Sequence, residues 1–182
     1  MAKVSSETRF CTLTQPDLAE AIAKLNDQMQ EAGLLDRFVT FCGCVIDMKT
    51  HVVTVVSAGH MPPIIYRAAS KTFEEGCTTD IIGLPLGVVE EIPYESSTFT
   101  LQPGDCVVLY TDGVNEAMSE VQEEFGMERL NDFLSEHRNL NPAALDKGLM
   151  EVLKSFAGNA EQSDDITLLT LRYLGPPAVQ KS

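Results

Sequence analysis

Apolar positions recur at helical spacing early in the chain, where Leu18, Ile22, Leu25 and Met29 fall on one stripe with Ala21 and Ala32 beside it. The spacing predicts an amphipathic helix with Thr14 as N-cap, Pro16 in the first turn, Asp17 near the positive end of the dipole and Gly33 as C-cap. The first residues, MAKV, fit the end of another helix. From Phe38 the period changes to two. FVTFCGCVID and HVVTVVSAGH flank a turn at Met48 and Lys49, which predicts an antiparallel hairpin. SAGHMPP ends its second strand, because small residues and two prolines stop pairing.

Residues 64–68 predict another strand, and residues 69–80 a polar surface connection. In IIGLPLGVV, Gly83, Pro85 and Gly87 interleave with apolar side chains, the mark of an ordered and partly buried loop. Residues 97–101 alternate as a strand, and the Pro103–Gly104 turn predicts a hairpin into the buried run 106–110, CVVLY. Helices follow. Residues 114–118 suit a short turn, and residues 125–137 place Leu130, Phe133 and Leu134 on one side. Asn141 and Pro142 then start a helix whose face carries Leu145, Leu149, Val152, Leu153 and Phe156, ending at Gly158. A final strand lies in TLLTLRYL, and residues 175–182 read as a disordered tail.

Composition narrows the function. With 182 residues, 44% hydrophobic and 22% charged, one soluble domain is expected. Thirteen basic against 27 acidic side chains give a net charge of −14 without a Lys/Arg run, so nucleic acid is not expected as a partner. No signal-like or membrane-spanning apolar stretch is visible, and the expected location is the cytoplasm, with no membrane partner. Cys42 and Cys44 share one face of a strand without a second ligand pair, which favours packed, reduced thiols over a zinc site.

Two carboxylate groups carry the candidate chemistry. Asp112 stands at the end of the 106–110 strand with Gly113 after it, and Asp164 and Asp165 stand at the start of the last strand. If the two strands are antiparallel neighbours these acids converge, and convergent oxygen donors suit Mg2+ or Mn2+. His60 more often serves as a structural hydrogen-bonder in such a turn, and Ser57 lacks a nucleophile elbow. From these residues alone, metal-assisted phosphate chemistry and a non-catalytic binding domain stand about even.

The ordered set FVTFCGCVID, SAGHMPPIIYR, GLPLGV, LQPGDCVVLYTDGVNEAM, FGMERL and SDDITLLTLR resembles the SpoIIE/RsbU-type branch of the metal-dependent protein phosphatases (PPM, protein phosphatase type 2C). The likeness runs from about Thr14 to Tyr173 and implies an α+β fold, an antiparallel β-sandwich flanked by helices in α-β-β-α layers, as one domain over residues 1–174 lacking its N-terminal part. It implies Mn2+ or Mg2+, two ions in the family, with Asp112 and Asp164 as metal ligands. Gly113 and Asp165 would support the site, and His60, Gly83 and Gly87 are candidates to line it. The implied reaction is hydrolysis of phosphoserine or phosphothreonine on a regulatory protein such as a STAS-type anti-sigma-factor antagonist, in stress or sporulation signalling. The family's GGD-type and D-x-x-G-x-G-type motifs do not occur in this sequence. The alternative expectation is therefore a half-domain without turnover, which binds phosphoproteins or self-associates through exposed sheet edges.

Overall fold

The computed structural model describes residues 2–31 and 38–176. They divide into two compact units, Met1–Pro62 with Glu75–Leu101 and Pro63–Glu74 with Gln102–Ser182.

The first unit begins with two helices, α1 (Ala2–Thr14) and α2 (Leu18–Glu31). Thr14 is the last residue of α1, where its hydroxyl donates back to the Phe10 carbonyl, and does not cap α2 as its position had suggested. Asp17 caps instead, its Oδ1 accepting the Ala19 and Glu20 amides at 2.8 and 3.1 Å. A carboxylate one residue before the helix reaches those orphan donors, whereas Thr14 lies a full turn too early. The expected C-cap, Gly33, lies outside the described residues, as does Ala32.

Strands β1 (Phe41–Ile46), β2 (Val52–Ala58) and β5 (Ser97–Thr100) form an antiparallel sheet in the order β1-β2-β5. Ile22, Leu25 and Met29 of α2 pack against Val56 and Ala58 of β2, with Leu86 and Tyr94 closing the cluster. The predicted hairpin between β1 and β2 is present, with Phe41 opposite Ala58 and Ile46 opposite Val53. All five cysteines are free. Cys42 donates to Cys44, so this bond and burial push the Cys42 thiol up and the same bond brings Cys44 down.

In the second unit the sheet order is β4-β3-β6-β7, from β3 (Ile64–Arg67), β4 (Thr72–Glu75), β6 (Cys106–Tyr110) and β7 (Leu168–Arg172). Two expectations are corrected. Strand β5 does not form a hairpin with β6: it pairs with β2 in the other sheet, and the Pro103–Gly104 turn instead carries the chain into a new sheet. The supposed polar connection 69–80 holds β4, a short 3-10 turn at Thr79–Ile81 and the buried Cys77. The pattern there is too short and too polar to register as a strand, since β4 is an edge and needs only one half-buried residue, Phe73.

Helices α3 (Gly126–Glu136) and α4 (Pro142–Ala157) complete the unit. Leu130, Phe133 and Leu134 of α3, and Leu145, Leu149 and Leu153 of α4, are buried as their spacing requires, while Val152, expected on the apolar face, is 38% exposed. Asn141 caps α4 through Oδ1, which accepts the Ala144 amide at 2.9 Å. Asp105 is 1% exposed, and its carboxylate takes the Arg67 guanidinium and the Ala68 and Gln102 amides at 2.9 to 3.0 Å, tying the end of β3 to the start of β6.

Candidate functional site

The buried strand β6 delivers Asp112 to one end of its sheet because Cys106, Val107, Val108 and Tyr110 fix the strand in the core. Strand β7 runs antiparallel beside it, with Tyr110 opposite Leu168 and Cys106 opposite Arg172. The C-terminal end of one strand therefore meets the N-terminal start of the other, and the Asp112 and Asp164–Asp165 segments come together.

Gly113 sets how closely they approach. A Cβ at this position would lie 2.6 Å from the Asp165 carbonyl oxygen and 3.4 Å from the Asp164 carbonyl carbon, so only a glycine lets the two backbones touch. Thr111 then pins the contact from the side. Its hydroxyl donates to the Asp165 carbonyl at 2.8 Å and accepts the Thr167 amide at 2.9 Å, while its own amide donates to the Thr167 carbonyl at 3.1 Å. Gln162 adds a bond from Nε2 to the Asp164 carbonyl at 2.7 Å.

Asp112, Asp164 and Asp165 are all exposed. Each of the first two orients its carboxylate on the following amide: Gly113 donates to Asp112 Oδ1 at 3.0 Å, and Asp165 donates to Asp164 Oδ1 at 2.6 Å. The remaining oxygens are hard, anionic donors at the surface. Among the described residues, no group of three or more His, Cys, Asp or Glu side chains is arranged to hold a metal ion.

The other expected residues belong to the first unit. His60 Nδ1 faces the Thr40 hydroxyl at 3.3 Å, and its backbone exchanges bonds with the Ser57 side chain. Gly83 has its position for packing, since a Cβ there would lie 2.5 Å from the Tyr94 ring. Gly87, at φ 88°, donates its amide to the buried Asn26 side chain. Thr111 and Gln162 were not singled out in the sequence, although the threonine directly before Asp112 was the available signal.

Residues 1–174 match the family model described as Stage II sporulation protein E (SpoIIE), and the chain belongs to that family, as a domain of the SpoIIE/RsbU phosphatase type. It is 28% identical over 156 residues to the phosphoserine phosphatase RsbU of Bacillus subtilis, a match covering 85% of this chain and 44% of that protein. The chain spans less than half the length of the curated relatives it matches. Among solved structures, the SiaA-PP2C domain of Pseudomonas aeruginosa superposes with a TM-score of 0.79 at 19% identity, over 93% of this chain and 67% of that one. RsbX in complex with magnesium gives 0.61 at 16% identity, over 92% and 71%. These likenesses establish the PP2C-type α+β fold.

Proposed function

We propose that the chain is a divalent-metal-dependent phosphatase domain that hydrolyses phosphoserine or phosphothreonine on a regulatory protein of the STAS anti-sigma-factor-antagonist kind. The observation that supports this reading is the close approach of Gly113, the neighbour of Asp112, to the Asp164–Asp165 backbone, in a chain that matches the SpoIIE model over residues 1–174. The donor set fits a hard cation. Two carboxylates and water are the usual protein share for Mg2+, which keeps much of its hydration, and Mn2+ accepts the same oxygens. Asp112 and Asp164 would hold the ion, with Gly113 and Asp165 setting their separation.

When bound, such an ion would supply an acidified water as nucleophile and positive charge to neutralise the phosphoryl oxygens. The chain's own residues contribute position. Thr111 and Gln162 hold the Asp164–Asp165 backbone before any ligand arrives, so little ordering remains to oppose binding. The Gly113 and Asp165 amides fix the carboxylate planes. His60, Gly83 and Gly87 are assigned to shaping the first unit on the bonds described above. The magnesium of RsbX, a structural neighbour, is consistent with a hard-ion site.

Calorimetric titration with Mn2+ tests the assignment, with turnover of an aryl phosphate followed on the same sample. Asp112→Asn and Asp164→Asn should each weaken Mn2+ binding at least about tenfold, since each removes a ligand charge. Two variants that bind Mn2+ as the parent does would overturn the site.

A further inference from the structure

A cavity of about 490 Å3 opens directly beside the carboxylate pole, within the second unit. Gly113 and Ser163 border it, so one wall belongs to the loops that carry Asp112 and Asp164. Its volume falls in the roughly 300–1,000 Å3 range of sites that enclose small ligands. Met118, Met150, Leu153 and Ile166 make the lining largely apolar. Met150, an unbranched and polarisable side chain, is 42% exposed there.

The helix explains the arrangement. Lys147, Met150, Lys154 and Ala157 follow each other at three- and four-residue intervals, so α4 presents them along one face while Leu145 and Leu149 are buried. Lys147 and Lys154 share the lining with Glu151 and Glu161, so the hollow carries two charges of each sign around an apolar floor. Lys147 is 3.8 Å from Glu151, and Lys154 has no ion pair among the described residues. A lysine in the last turn also suits the helix dipole, which accounts for Lys154 in part and for the methionine not at all.

We propose that this cavity docks the polypeptide that carries the phosphate: a bulky aliphatic side chain near the phosphorylated residue enters it, and Lys154 meets the negative charge of the segment. The proposal rests on the phosphatase reading of the adjacent carboxylates. It follows from three features together: the hollow is apolar, it shares Gly113 with the carboxylate pole, and Lys154 on its rim has no ion pair among the described residues, whereas Lys147 faces Glu151. A second copy of this chain, at net −14, offers poorer charge complementarity than a peptide with one local anionic group.

The test is fluorescence anisotropy on the chain with Mn2+, using seven-residue labelled peptides that carry phosphoserine at the centre of an alanine and serine background. Leucine is placed in turn at each of the other six positions, and each peptide is also made without phosphate. At one or two positions leucine should tighten binding about tenfold, the gain from burying one aliphatic side chain. Met150→Glu should abolish that gain and Lys154→Glu should weaken every phosphorylated peptide. Both residues are exposed, and unchanged circular dichroism spectra verify folding. Less than a twofold leucine effect at all six positions overturns the proposal, as does a leucine preference that survives Met150→Glu. A leucine preference that is kept while phosphate makes no difference supports the cavity and refutes the phosphatase reading, so the two failures are told apart.

Discussion

Replacing Gly113 by alanine tests the geometry of the carboxylate pole most directly. The new Cβ would sit 2.6 Å from the Asp165 carbonyl oxygen, about 0.8 Å short of ordinary van der Waals contact, and the obstacle is backbone. That oxygen also accepts the Thr111 hydroxyl at 2.8 Å, so moving it strains or breaks the bond. Overpacking of this kind costs about 1–3 kcal/mol, and an exposed hydrogen bond adds at most about 1 kcal/mol because water can replace it. Gly113 has no positive φ, so alanine by itself would stabilise by about 0.4–1 kcal/mol through the unfolded chain. The net loss centres on about 2 kcal/mol, which lowers the Tm of a chain this size by roughly 4–8 °C. Calorimetric melting and Mn2+ titration read both consequences, and Mn2+ affinity should fall with the displaced Asp164 segment. Gly126→Ala is the control: φ is 77° but nothing lies within 4 Å of the added Cβ, so stability drops by about 1–2 kcal/mol and Mn2+ binding does not change. A Gly113→Ala protein with the parent Tm and the parent Mn2+ affinity would refute the reasoning.

Three further outcomes are expected. Asp105→Ala leaves the half-buried Arg67 guanidinium with Glu74 and takes the acceptor from the Ala68 and Gln102 amides, and should cost about 2–4 kcal/mol in urea unfolding; a loss under about 1 kcal/mol would contradict the tie between β3 and β6. Asn141→Ala removes the α4 cap and should cost about 0.5–2 kcal/mol in the same assay, with no change in Mn2+ binding. Burial, and then the Asp27 charge, pushes the Tyr94 phenol up to about 12. Because the folded pKa lies above the unfolded value, Tyr94 contributes stability that is complete below about pH 10 and is lost as pH rises toward 12. Tyr94→Phe should flatten the stability profile over that interval, and an unchanged slope would count against the assigned shift.

The elements whose burial pattern is local were legible in the sequence. The stripe of Ile22, Leu25 and Met29, the alternation of β2 and the run CVVLY each announce an element that must hide an apolar face, and the Asn141–Pro142 pair marks a helix start. The pairing of β6 with β7 was also within reach, because two acidic strand ends make sense when the strands are antiparallel. What was not legible depends on partners distant in sequence. The partner of β5 is set by where Phe99 finds its neighbour, Val53, and no turn residue records that. Thr111 looks like any strand-end threonine until the Asp165 carbonyl, 54 residues on, is placed against it. Val152 follows the helical period yet stays exposed, since a helix buries only the part of its stripe that faces another element.

The alternation of the chain between units has a consequence for dissecting the gene. Residues 63–74 leave the first unit to supply β3 and β4, the chain then returns, and it departs again after Leu101. Neither unit is a continuous segment, so no single cut yields one without damaging the other. A stop codon after Leu101 would spare every residue of the first unit, yet it would strip β6 from β3 and expose Ile64 and Ile65, both buried in the intact protein. A cut there leaves β3 and β4 as a sticky ribbon in place of a smaller protein.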